Sequence, residues 1–228
     1  MPAERMTRSA LEAWSTDVAP ALLGARFVST IGGTRVAVRL TEVEAYMGGA
    51  DPGSHAYRGP TPRTRVMFGP AGHLYVYFTY GMHWCANVVC GPPGLASAVL
   101  LRAGKVVEGL DVARARRPAA RRDADLARGP ARLTSALGID GGRDGADLVT
   151  GPDLWLEPPE LPPQAGDVRT GPRVGVSGDG GDGDVFPWRY WLDGDPTVST
   201  YRPGQPRRRR TGGRTTVPGE PTTGEGAP

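Results

Sequence analysis

Residues 41–59 read TEVEAYMGGADPGSHAYRG, placing two carboxylates, a phenol and an imidazole close together in the chain. If residues 34–45 form a strand, Glu42, Glu44 and Tyr46 lie on one face, because side chains alternate sides with period two. Carboxyls two residues apart on such a face are about 6–7 Å apart, which leaves room for a water molecule. An inverting glycosidase uses a pair of that kind, although a strand end emerging into solvent also explains two glutamates. Tyr46 and His55 add an aromatic plate and a hydrogen-bonding ring, and such a group can grip something flat.

A second stretch, HLYVYFTYGMHWCANVV over residues 73–89, crowds Tyr75, Tyr77, Phe78 and Tyr80 onto a strand that ends at Gly81 beside Met82. Core burial is the ordinary fate of Tyr75 and Phe78. A tyrosine and a methionine at a hairpin tip are harder to bury. Exposed apolar wedges enter base stacks, and a flat-walled pocket suits an extruded base.

The elements that must position these residues follow from punctuation and period. Ser9 and Glu12 read as a capping box, and DVAPALLGARFV as a helix stopping at Gly24. Arg26–Thr30 and Thr34–Ala45 read as a hairpin, with Val36, Val38 and Leu40 on the same face as Glu42, Glu44 and Tyr46. Residues 47–73 form a long Gly/Pro-rich connection, a length that marks functional loops. ASAVLLRA is a strand, while VVEGLDVARARR and GPARLTSALG are helical, with Pro130 in the first turn and Gly138 at the C-cap. PDLWLE, PRVGVS and FPWRYWLDG are short strands. No βαβ rhythm occurs, so the expected class is α+β: a single compact domain on a curved, largely antiparallel sheet, with flanking helices and a protruding β-hairpin.

Of 228 residues, 34 are Gly and 23 Pro, so loops are abundant and disordered ends are expected at 1–8 and 201–228, leaving 9–200 as the domain. The charge balance of +3 comes from the C-terminal end. Residues 201–228 hold six Arg and two acids, leaving 21 basic side chains against 22 acidic ones. Within the domain the charge is polarised, with nine basic residues against four acids over 102–139, a segment able to meet phosphates. Cys85 and Cys90 would lie on opposite faces of one strand, which disfavours a disulfide. Three scattered histidines and two cysteines give no metal-ligand spacing, so no metal or cofactor is expected. Neither an apolar leader nor a run of 18 apolar residues occurs, so no membrane contact and a cytoplasmic location are expected.

The blocks EVEAY, SHAYRG, TPR, LYVYFTYGMHWCANVV, AVLLRA, GPARLTSALGI, RVGV and RYWLDGDPTVS together resemble the alkyladenine (3-methyladenine) DNA glycosylases, in family order over about residues 9–200. The resemblance implies a monofunctional hydrolase of base excision repair. Such an enzyme flips alkylated or deaminated purines (3-methyladenine, 7-methylguanine, hypoxanthine) out of double-stranded DNA and attacks the sugar C1′ with water. It would act as a monomer without a cofactor. By the same resemblance Glu44 is the general base, with Arg102 and the Val174 carbonyl holding the water and Glu42 as support or bystander. Tyr46, His55 and Tyr77 form the base pocket, and Asn87 gates against normal guanine. Tyr80 is the intercalating wedge with Met82 beside it, and Gly129 and Arg132 receive a phosphate.

Other readings predict different features. A carbohydrate glycosidase would use both glutamates and line its cleft with Trp. A non-catalytic nucleic-acid-binding protein explains the basic segment but gives no reason for Glu44. A lyase acting through an N-terminal proline is hinted at by MPAE, but the zinc-ligand cysteines of that class are absent. GDGGDGD lacks the spacing of an EF-hand calcium loop.

Overall fold

The computed structural model describes residues 4–79 and 81–205. In chain order the elements are α1 (Ser15–Ala21), β1 (Arg26–Ser29), β2 (Val36–Tyr46), β3 (Leu74–Thr79), β4 (His83–Val89), β5 (Ala98–Glu108), α2 (Leu110–Arg116), α3 (Pro130–Leu137), β6 (Leu154–Glu157), β7 (Val168–Gly171) and β8 (Arg189–Leu192). The eight strands make one sheet of order β3-β4-β5-β2-β1-β6, with β8 joined to β2 and β7 to β8. Every pairing between these strands is antiparallel. The α+β expectation holds, and β3–β4 is the hairpin, with Phe78 46% and Met82 69% exposed at its end.

One face of the sheet carries the main core. Val18 and Ala19 of α1, Ala113 of α2 and Leu133, Ala136 and Leu137 of α3 pack on Val38, Leu40, Val43, Ala45, Val88, Val99 and Leu101. The other face is covered by the 47–70 connection, where Ala56 and Met67, joined by Ala96 from the turn before β5, pack on Tyr75, Val89 and Ala98. That long loop therefore closes the second side of the sheet.

β2 departs from simple alternation at a decisive place. Val36, Val38 and Leu40 face the helices, but so do Val43 and Ala45, which leaves Glu42, Glu44 and Tyr46 on the opposite face. The cause is a pair of irregularities: against β5, Leu40 faces Gly104, Glu42 faces Ala103 and Val43 faces Leu101, so Thr41 and Arg102 each lack a partner. One extra residue on each strand switches the parity of both. The switch falls where β2 leaves β1, after Arg39, and takes up β8 at Glu42. The expected single face of three apolar residues, two carboxylates and a tyrosine is therefore two faces. A carboxylate on the helix side would have no partner, and the bulge puts both glutamates among arginines.

Other boundaries moved for identifiable reasons. Ser9 lies in a short 3-10 turn with no side-chain cap bond, so the capping box does not form. β5 runs on through Val106 and Val107 to Glu108, and the helix starts only after Gly109 in the left-handed region at φ 69°. PRVGVS is a loop, and β7 was not foreseen. Phe78, expected in the core, packs on Trp84 (centroids 4.6 Å apart) and stays largely exposed. Residues 5–8, expected to be disordered, are tied down: Arg5 Nη1 donates to the Gly151 carbonyl, the Met6 amide to the Leu156 carbonyl, and Arg8 pairs with Asp147 at 2.8 Å. The tail expected to be disordered lies outside the described residues from 206 onward, while the Arg202 carbonyl accepts from the Gly175 amide at 2.9 Å.

Gly104 sits opposite Leu40 at the bulge, and a Cβ there would overlap the Arg39 carbonyl oxygen and Val38 Cγ1. We expect Gly104→Ala to lower stability by about 1–3 kcal/mol in urea unfolding. Gly166→Ala, whose Cβ meets nothing within 4 Å, should be near neutral.

Candidate active site

Strand register lines up the site on the second face. Tyr75 pairs with Asn87, Asn87 with Leu100, Leu100 with Glu44 and Glu44 with Arg189, forming one row across five strands. Strands lie ~4.8 Å apart, so Glu44 and Tyr75 are about 14 Å apart at the backbone, enough for a flat ring between their side chains. Two residues along β3, Tyr77 faces Cys85.

Glu44 is fully buried. Its Oε2 accepts from the Tyr46 hydroxyl at 2.9 Å and its Oε1 from the Val174 amide at 2.7 Å, with Arg102 Nη1 at 3.4 Å. Burial first, and the Glu44 charge second, push the Tyr46 hydroxyl well above the usual phenol range, so it remains a donor. Glu42, equally buried, has no such freedom. Its oxygens accept from Arg102 Nε at 2.9 Å, Arg189 Nε at 2.8 Å, and the amide and hydroxyl of Ser199 at 2.7 and 2.9 Å. Burial works against the Arg102 charge, but Glu44 and Glu42 outweigh it and hold its pKa above the ordinary value. The two glutamates are thus unequal: Glu42 accepts four hydrogen bonds and Glu44 two, with an arginine at 3.4 Å.

Arg173 completes the frame. It is fully buried and makes a bidentate pair with Asp51 at 2.6 and 2.7 Å, with further bonds to the carbonyls of Ala45 at 2.9 Å and Gly180 at 2.8 Å. Its guanidinium lies 4.5 Å from the Tyr46 ring centroid and 5.3 Å from that of Trp188. Asp51 in turn accepts from the amides of Met47 and Gly53. A Cβ on Gly53 would run into the Arg173 guanidinium, and one on Gly180 into the Gly53 backbone, so the two loops can meet only as glycines. One ion pair therefore joins the loop that leads to His55, the end of β2, and the loop carrying Val174.

The pocket walls come from the hairpin and the long connection. His55 meets Tyr77 edge-on at 4.6 Å, and its Nδ1 is 3.4 Å from the Tyr75 hydroxyl. Tyr75 and Tyr77 stack at 5.6 Å. Burial lowers the His55 pKa, and the nearby Arg63 adds to this, so the ring is neutral at pH 7. Burial also raises the Tyr77 phenol well above its usual range, with Cys85 adding to it. Asn87 is buried and donates Nδ2 to the Tyr75 carbonyl at 3.2 Å. The structure thus gathers Glu44, Tyr46, His55, Tyr77, Asn87, Arg102 and Val174, and it is the Val174 amide that bonds Glu44. Met82 stands apart at the exposed hairpin end, and Tyr80 lies outside the described residues. Gly129 is the N-cap of α3, and Arg132 lines a groove with His83, Arg117 and Arg121 between that helix and the hairpin. Cys85 and Cys90 are both free, as expected.

Sequence reading missed Arg173, Asp51, Arg189 and Ser199. Their one visible trace is position: Arg173 precedes Val174, and Ser199 closes the RYWLDGDPTVS block.

A sequence model of the methylpurine-DNA glycosylases matches residues 9–196. The chain belongs to that family. A relative from Streptomyces avermitilis, provisionally named a 3-methyladenine DNA glycosylase, is 59% identical over 198 residues, covering 86% of this chain and 91% of its own. Relatives with the same provisional name from Leifsonia xyli subsp. xyli (58% identical, 86% and 92% covered) and Burkholderia lata (47%, 87% and 92%) align over similar lengths. Methylpurine-DNA glycosylases are hydrolases of the N-glycosidic bond in DNA, and the chain is an enzyme of that class. Among the described residues no helix is long and apolar enough to cross a membrane.

Breaking the buried Arg173–Asp51 pair from one side strands a charge, so Asp51→Asn should cost about 3–5 kcal/mol in denaturant unfolding. Asp193→Asn, at the exposed Arg169–Asp193 pair, should cost about 0–1 kcal/mol in the same assay.

Proposed function

We propose that the protein is a monofunctional glycosylase that excises alkylated and deaminated purines from double-stranded DNA, in base excision repair in the cytoplasm. The base leaves the helix, stacks among Tyr46, His55 and Tyr77, and is cut from its sugar by water that Glu44 activates. The observation that carries this reading is the unequal pair of buried glutamates. Glu42 is saturated by Arg102, Arg189 and Ser199, while Glu44 accepts from Tyr46 and Val174 with Arg102 at 3.4 Å. That asymmetry favours one base over an acid and base pair. An alkylated purine such as 3-methyladenine or 7-methylguanine already carries positive charge, leaves without protonation, and needs a single carboxylate. That carboxylate takes the water's proton and stabilises the developing oxocarbenium ion.

Each remaining assignment has a physical basis. Arg102 beside Glu44, with the Val174 carbonyl, orients the water. Asn87 in the row between Tyr75 and Leu100 crowds the exocyclic amine of guanine and so rejects the normal base. Tyr80, with the exposed Met82, fills the gap left in the stack, and the Gly129 helix start with Arg132 takes a phosphate. Lyase chemistry would need an amine nucleophile. Lys105, the only lysine, is exposed and sits opposite Arg39, outside the row that holds Glu44.

The enzyme, acting as a monomer, should release free base from methylated and from hypoxanthine-containing duplexes and leave the strand intact until alkali is added. Borohydride added during turnover should trap no protein–DNA adduct. Failure to release either base would end the reading, and a trapped adduct would replace water by a protein amine.

A further inference from the structure

We propose that Arg63 is a specificity-determining residue that sets how the pocket weighs positively charged against neutral purines. The inference rests on the pocket assignment above and concerns a residue that assignment leaves idle. The Arg63 guanidinium stands over the Tyr77 ring, 5.4 Å from its centroid. Tyr77 carries His55 edge-on at 4.6 Å and stacks with Tyr75 at 5.6 Å, so Arg63 closes a cluster of three rings. The Arg63 charge also reaches the Tyr75 hydroxyl, whose pKa burial raises and Arg63 pulls back.

The other cations near the pocket are matched. Arg102 faces Glu42 and Glu44, and Arg173 faces Asp51. Arg63 is exposed, and among the described residues it has no carboxylate within ion-pair distance. An uncompensated guanidinium therefore sits on the aromatic surface against which a purine would stack. A purine that rests on Tyr77 lies beside that cation or displaces it. A neutral base such as hypoxanthine meets no repulsion there. A cationic base such as 7-methylguanine does, and it also competes for the same ring as a cation–π partner. Arg63 thus restrains the pocket against the lesions whose charge makes them leave fastest, and it narrows the rate difference between the two classes.

The test compares single-turnover base release from duplexes carrying 7-methylguanine and hypoxanthine, in wild type, Arg63→Gln and Arg63→Lys. The same affinity ratio is measured in a Glu44→Gln background that consumes the duplex too slowly to interfere. Arg63→Gln should raise the cationic-to-neutral ratio about threefold to tenfold, and Arg63→Lys, which keeps the charge, should leave it near the wild-type value. By NMR the His55 pKa should rise in Arg63→Gln, since a depressing charge is removed. An unchanged ratio, an equal loss on both duplexes as for a phosphate contact, or an unmoved His55 titration would overturn the proposal. Absence of release from both duplexes by wild type would instead strike the functional reading, and the affinity ratio would still decide the role of Arg63.

Discussion

Among the described residues three carboxylates have no exposed surface, and the rest of the site is arranged around the need to compensate them. Glu42, Glu44 and Asp51 are matched by Arg102, Arg189 and Arg173, themselves almost entirely buried. Removing ions from water costs several kcal/mol each, and the interior repays this only when geometry and added hydrogen bonds are good. Here the repayment is complete at Glu42 and Asp51, which hold β8, Ser199 and the long connection in place. At Glu44 the tyrosine, the amide and the more distant arginine hold the carboxylate without using it up. A structural lattice of charge thus surrounds Glu44, the carboxylate to which we assign the chemistry.

The bulge at Thr41 and Arg102 is what lets that lattice exist. Without the extra residue on each strand, the helix-packed side chains and the glutamates would compete for one face. With it, the apolar residues of β2 stay continuous toward the helices, and the polar ones face the loop-covered side. The same place serves as the exchange of partners from β1 to β8, which brings Arg189 opposite Glu44. Fold and site therefore share one device, a local break in strand period that simple alternation does not anticipate.

Much of the site was legible because it is local or motif-bound. Glu44 and Tyr46 sit two apart on a strand, so their shared face follows from period two whichever face it is. The hairpin follows from aromatic strands around Gly81, and His55 from its place in a long connection that had to cover something. What was not legible depends on distance in sequence. Arg173 reaches Asp51 across 122 residues and Ser199 reaches Glu42 across 157, and no local pattern encodes either bond. Which face the glutamates occupy, and which donors saturate Glu42, also had to come from the structure. Both depend on a bulge and on long-range donors.

The central claim is that Glu44 alone carries the proton transfer while its surroundings hold the lesion. Single-turnover excision and lesion affinity of Glu44→Gln test it most directly, because the amide preserves shape and cannot take the water's proton. The account predicts lesion binding close to wild type with excision slowed by about 10²–10⁴-fold or more. Excision within a few fold of wild type, with the protein folded and the lesion bound, would contradict it.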